Sequence, residues 1–413
     1  MKRVLFVDDE PAVLEDLKRM LDPQKEQWEM AFAPGGEGAL SLLDAAPFEV
    51  VVSGVRMRGM DGAALMQAVC ERHPSVVRIV MAKSSEFEGA LRTISIAHQF
   101  LRKPCDPTML RVAVERATSL SAILNNKLLA STVGSVKDLP VLPRTYLALR
   151  QELADPECAI KKIVRLVEQD VAISAKVLQL VNSALFGLPR EISTVQTAVS
   201  FLGIEMLQSM VLSAGVFHLF EAADSVPGFS FEALYEHSQL VAKIAGRFSL
   251  PPYLHNIAIV AGLLHDVGKL LLATRSSRHF SRAVMGAREE NRPLFDVEAE
   301  LMGVSHAEIG AYLLGIWGLP SPVVEAVAHH HHPGRVPQQE LDAVGAVHIA
   351  NFLAHEHPVH RVPGAQPAYR APQPDYLEAL GMSDQMAHWG EMAEEMATAM
   401  RTPPVPAQAR ARR

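Results

Sequence analysis

EVVVSG, residues 49–54, is a continuous β-rich run that ends on a glycine, and it has three companions: VLFV (4–7), RIVMA (78–82) and QFLRKP (99–104). Runs of this kind suit strands buried on both faces, because a strand with one wet face alternates apolar and polar residues. Amphipathic patterns lie between them, PAVLEDLKRML and GAALMQAVCERH among them. The expectation for residues 1–122 is therefore a parallel sheet covered by helices. In such sheets the chemistry sits beyond the carboxyl ends of the strands, which places Asp8, Asp9, Gly54, Ala82 and Lys103 along one edge.

Working outward, the pattern turns helical from Thr108. Leu110, Val114, Ala117, Leu120, Leu124 and Leu128 are spaced by three or four, a seam that suits either packing on its own domain or a homodimer through the 108–130 helix. SVKDLPVLP (135–143), with two prolines, marks a boundary, so 123–138 reads as a linker helix. Residues 139–357 read as almost entirely helical, with amphipathic runs at 159–184, 195–220, 231–248, 255–273, 297–316 and 339–357. The segment 358–400 reads as a proline-rich loop and then a helix carrying Met382, Met386, Met392, Met396 and Met400, a stripe that suits core packing. The tail 401–413 reads as disordered.

The chain has 413 residues, 49% hydrophobic and 21% charged, which is the balance of a globular protein and, at roughly 150 residues per domain, implies two or three domains. A net charge of -7 argues against holding nucleic acid by bulk charge, and no direct DNA binding is expected. No apolar run approaches the roughly 18 residues that span a bilayer, and MKRVLFVDDE has no signal-peptide stretch, so the expectation is no membrane and a cytoplasmic location. Cys70, Cys105 and Cys158 have no metal spacing and read as reduced packing residues. The 17 histidines are unevenly spread, with 15 at or beyond His218.

At VLFVDDEP, VVSGVRMRGMDG and FLRKP the sequence resembles the receiver domain of response regulators, a flavodoxin-like α/β fold with a five-stranded parallel sheet. The resemblance puts Asp8 and Asp9 on the acidic pair that holds magnesium and Lys103 on the lysine that neutralises phosphate, with Lys103–Pro104 as a cis bond. The phosphoacceptor position falls on Gly54 and the switch hydroxyl position on Ala82. A phosphoryl acceptor must be a nucleophilic oxygen, and glycine has none. The expectation is a pseudo-receiver that keeps the fold and loses aspartyl phosphorylation, with a weak magnesium site at Asp8 and Asp9 at most. Ser53 and Ser84 are one residue off register and are not expected to substitute. Arg58 adds a positive charge nearby.

From LPVLP through the Asp170 segment and VNSALFG to SFLG (139–203), the chain resembles the HDOD domain, an all-α relative of HD-superfamily phosphohydrolases. That resemblance implies a regulatory module whose partners are other signalling proteins. Within the superfamily, the resemblance to HD-GYP phosphodiesterases assigns His237, His265, Asp266, His306, His330 and His331 to metal positions and Lys269 to a phosphate contact. The last ligand position, an aspartate there, falls on Asn351. Imidazole and carboxylate suit iron, manganese or zinc, although asparagine binds more weakly, so two metals are doubtful. A single histidine such as His237 or His306 is more often a hydrogen-bonded packing residue, whereas the His265–Asp266 dyad between AGLL and VGKLLL demands a buried polar network. His329, His332, His348, His355, His357 and His360 are expected to be solvated neighbours. Two functions compete: a non-enzymatic signalling protein, and a metal-dependent phosphohydrolase acting on a cyclic dinucleotide or another nucleotide ligand.

Overall fold

The structure is a computed structural model that describes residues 2–401, except 87–88, 91–92, 94, 124–132, 135–138, 156–157, 184–185, 187–190, 213–216, 220–225, 337–339 and 357–373. Of the loop expected at 358–374 and the tail expected at 401–413, residues 358–373 and 402–413 lie outside the described residues.

The four apolar runs become strands, joined by a fifth. In chain order the first half is β1 (Lys2–Val7), α1 (Pro11–Leu21), β2 (Trp28–Ala33), α2 (Gly36–Ala45), β3 (Val50–Gly54), α3 (Gly62–Arg72), β4 (Val77–Ala82), β5 (Gln99–Arg102) and α4 (Pro107–Ile123). All pairings are parallel and the sheet order is β2-β1-β3-β4-β5, so β1 and β3 are central neighbours. Every residue of β3 and β4 is buried, as runs without alternation require. The α4 seam begins as expected, with Leu110, Val114 and Ala117 buried. Leu124 and Leu128 lie outside the described residues.

The second half contains α5 (Pro143–Leu153), α6 (Ile160–Glu168), α7 (Val171–Val181), α8 (Val195–Leu212), α9 (Phe231–Ala245), α10 (Pro252–Leu264), α11 (Val267–Arg275), α12 (Ser277–Glu289), α13 (Leu294–Met302), α14 (His306–Ile316), α15 (Ser321–His329), α16 (Ala343–Glu356), α17 (Pro374–Ala379) and α18 (Met386–Arg401). Several long runs prove to be two helices each. Asp170 breaks the first because its carboxylate caps α7, accepting from Ala172 N and Ile173 N at 2.9 and 3.0 Å. Gly303, at φ 78°, ends α13 before a Ser305/Glu308 capping box starts α14. The LPVLP boundary is itself a strand: β6 (Leu139–Val141) pairs in parallel with β7 (Phe217–Leu219), a two-stranded exception in a domain that is otherwise helical, as expected. Asp170 also fastens this strand, accepting from Leu142 N at 3.0 Å.

Pro252–Arg275 corrects a second expectation, since by length and composition it could cross a membrane. It is 83% buried over that window and forms the centre of the helical domain. The methionine helix α18 packs on α9 and α16, with Trp389 edge-on to Phe248 at 5.1 Å.

The two halves meet along β5 and α4. Gln99 Nε2 donates to the Ile316 carbonyl at 3.0 Å, Gln179 Nε2 donates to the His98 carbonyl at 3.1 Å, and α4 packs on α14.

Candidate functional site

At the end of the sheet, Asp8 is fully buried and pairs with Lys103. Its other oxygen accepts from Glu10 N at 3.1 Å, while Asp9 accepts from Arg58 N at 3.0 Å. Arg58 otherwise projects into solvent, its side chain 97% exposed with Nε 3.8 Å from Asp9. Gly54 completes the group. A Cβ built there would sit 2.9 Å from Asp8 Oδ2 and 3.0 Å from Lys103 Nζ, so position 54 faces the pair and the lysine leans into the space an acidic side chain would need. Ser53 is buried with its hydroxyl donating to the Gly54 carbonyl at 3.0 Å, and Ala82 is buried. The Lys103–Pro104 bond is cis. The Asp8 carboxylate is thus engaged by Lys103 and Glu10 N, and the Asp9 carboxylate by Arg58 N.

The helical domain gathers its six imidazole and carboxylate positions from five separate elements. His237 comes from α9, His265 and Asp266 from the break between α10 and α11, His306 from the start of α14, and His330 and His331 from the end of α15. Close approach of α11 to α14 makes this possible: a Cβ at Gly268 would lie 2.9 Å from Gly310 N, and one at Gly310 would lie 3.1 Å from Gly268 N. His265 and His330 are fully buried, and His331, the most accessible of the six, is 7% exposed.

Asp266 is the hub. Its Oδ2 takes Lys269 Nζ at 2.6 Å and lies 3.3 Å from His265 Nε2, while Oδ1 lies 3.2 Å from His306 Nε2 and 3.9 Å from His330 Nε2. Desolvation opposes its charge, but the neighbouring His265, Lys269 and His306 hold its pKa well below the usual carboxylate range. Burial pushes His237, His330 and His331 well down, so these rings are neutral. For His306, burial is outweighed by Glu298 and Asp266, and its pKa rises.

The donor set fits a metal ion. His265 Nδ1 hydrogen-bonds to the Gly262 carbonyl at 2.8 Å and His330 Nδ1 to the Val327 carbonyl at 2.7 Å, which assigns the proton to Nδ1 and leaves each Nε2 with a lone pair. Both Nε2 atoms and Asp266 Oδ1 are buried without a hydrogen-bond partner. Potential ligand atoms fall into two groups, His306 with His330 and His331, and His237 with His265 and Asp266, each within 4.8 Å of one another. Asn351 is present where the resemblance placed it, with Oδ1 2.9 Å from His237 Nε2; it turns that ring and leaves His237 Nδ1 as the orphan.

Three residues escaped the sequence reading. Glu298 is fully buried and accepts from both His306 Nδ1, at 2.6 Å, and His306 N, at 2.8 Å; a carboxylate behind a ligating imidazole is a common metal-site support. His348, expected in solvent, is 3% exposed and donates from Nδ1 to the His330 carbonyl at 2.7 Å. His355, also expected in solvent, packs 4.3 Å from the His237 ring and bonds to the Asn351 carbonyl at 2.8 Å. Burial lowers His348 and His355 to about 4. His329 and His332 are partly buried, and His357 and His360 lie outside the described residues.

Comparison with known proteins agrees with the two-part layout. The response regulator receiver domain matches residues 4–115, and the HDOD domain matches residues 139–333. An uncharacterized protein of Treponema pallidum is 28% identical over 262 residues, covering 62% of this chain and 51% of that protein, so the chain spans about half the length of this relative. Among solved structures, the MmoQ response regulator of Methylococcus capsulatus matches 61% of this chain and 98% of its own at 22% identity and a TM-score of 0.47. A virulence factor of Campylobacter jejuni matches 68% of this chain and 99% of its own at 19% identity and a TM-score of 0.50, a likeness of fold.

Proposed function

The chain is a receiver domain joined to an HDOD domain, the architecture of a signal-transduction protein, and we propose that it works without phosphorylation: a pseudo-receiver, read by binding of a protein or small ligand, biases an HDOD module that regulates other signalling proteins. Gly54 carries this reading, because the acceptor oxygen is missing and Lys103 is already neutralised by Asp8. A continuous route between the sites supports the coupling. Lys103 follows β5; Gln99 on β5 holds the Ile316 carbonyl at the end of α14; and His306 in the histidine cluster begins α14. The full chain, treated with radiolabelled acetyl phosphate and magnesium, is expected to take up no label. A stable acyl phosphate would overturn the reading.

A second reading rests on the orphaned Nε2 atoms of His265 and His330. In it the cluster holds iron, manganese or zinc and the protein is a phosphohydrolase for a cyclic dinucleotide or another nucleotide. His265, Asp266, His306, His330 and His331 would hold the ion, which supplies an activated water when bound. Lys269, 13% exposed and anchored on Asp266, is the group of this cluster placed to meet a phosphate. Elemental analysis after reconstitution is the test: less than about 0.1 equivalent of metal removes this reading, and about one equivalent, lost in His265→Ala, supports it.

A further inference from the structure

A cleft of about 820 Å³ lies in the helical domain where α6, α8, α9 and α10 meet, and no residue of the histidine cluster lines it. Its floor is apolar, formed by the buried Ala242, Val260 and Leu263. Two cations, Arg165 and Lys243, and one acid, Glu168, stand around it. Among the described residues, neither cation has a carboxylate within ion-pair distance. Gln196 and Asn256 add side-chain amides that can both donate and accept. The α18 helix contributes Met396 to the wall, so the methionine stripe does more than fill the core.

We propose that this cleft binds a nucleotide. Glu168 offsets part of the charge of Arg165, so the cleft keeps a net positive charge that an apolar ligand would leave unanswered, and inorganic phosphate would leave the floor uncovered. A phosphorylated heterocycle satisfies both, with its ring on the Ala242–Leu263 floor, its base edge against the amides and its phosphate between Arg165 and Lys243. The volume lies within the roughly 300–1,000 Å³ of small-molecule sites. Met396 closes one side with an unbranched side chain that can adapt to a ring.

Calorimetric titration of the full chain with AMP, GMP, CMP and inorganic phosphate tests this. At least one nucleotide is expected to bind, with phosphate alone about tenfold weaker or worse. Arg165→Gln and Lys243→Gln, both at exposed positions, should keep the circular dichroism of the parent and each lose about tenfold in affinity, the scale of one charge-assisted hydrogen bond. Binding should persist in EDTA and in His265→Ala, which separates this site from nucleotide turnover at the histidine cluster. The proposal fails if no nucleotide binds at millimolar concentration, if phosphate binds as tightly as any nucleotide, or if binding survives both cation substitutions and disappears in His265→Ala.

Discussion

The polar site of the receiver and that of the HDOD domain are built from similar residue types and end in opposite states. Around Asp8 the carboxylate is bonded to Lys103 and to Glu10 N, and Gly54 leaves no group demanding more. Around Asp266 the neighbours are as close, yet one carboxylate oxygen and the Nε2 atoms of His265 and His330 stay buried without partners. Burial of such atoms costs about 1–3 kcal/mol each unless something answers them. The receiver's polar group is closed on itself, whereas the one around Asp266 keeps orphaned polar atoms that something from outside could answer. Asp170 supplies the control: it is as buried as Asp266, and three backbone N–H groups satisfy it.

The contrast can be broken most directly at Asp266. Asp266→Ala removes the charge facing Lys269 and His306 and should cost about 3–5 kcal/mol in urea denaturation, the scale of breaking a buried ion pair; a loss below about 1 kcal/mol would mean the hub is not the centre of the network. Asp170→Ala orphans three N–H groups and should cost about 3 kcal/mol with no change in metal content, which sharpens the distinction between a satisfied carboxylate and an open one. Burial also raises Asp170 to about 7 against its three backbone donors. The folded chain therefore binds that proton more tightly than the unfolded chain, and stability that is full below the ordinary aspartate range falls as pH rises from about 4 through about 7. Urea midpoints measured across that window should lose this slope in Asp170→Asn. Glu298→Gln keeps an acceptor behind His306 but removes the charge, and should weaken zinc affinity by about 10–100-fold in a chelator competition. Unchanged affinity there would assign Glu298 to packing alone. The smallest effect is expected at Gln99→Ala, about 1 kcal/mol in the same denaturation measurement, for the loss of one bond between the halves.

Much of this was legible in the residues. Apolar runs without alternation marked a parallel sheet, and motif register alone placed Gly54 opposite Asp8 and Lys103, where the geometry finds it. The six histidine and aspartate positions came from the HD-GYP resemblance, while the residues themselves showed only that the polar dyad inside AGLLHDVGKLLL calls for a buried polar network. Glu298 was not readable. It lies in an ordinary amphipathic stretch and reaches His306 only because Gly303 takes a left-handed turn, although the Ser305/Glu308 box was present in the sequence to mark the new helix. His348 and His355 were misjudged because helical spacing does not say which face of α16 a neighbouring helix covers, and α9 and α18 both pack on it. The β6–β7 pair was hidden because two prolines outweighed the short LPV strand, which is tolerated where a strand has only one neighbour.

Arg78 sets a limit on how this chain can be taken apart. It stands on β4, fully buried, with Nε donating to the Ile96 carbonyl at 2.7 Å, Nη1 to Val76 at 3.1 Å and Nη2 to Gly134 in the connecting segment. Burial lowers it to about 10, so it remains charged in the folded protein. A receiver cut away at residue 122 would lose the Gly134 carbonyl and leave that buried guanidinium short of an acceptor. The receiver and its connector therefore form one inheritable piece: recombination that moves this receiver onto a foreign output domain has to carry the junction with it, or bring another acceptor to that guanidinium.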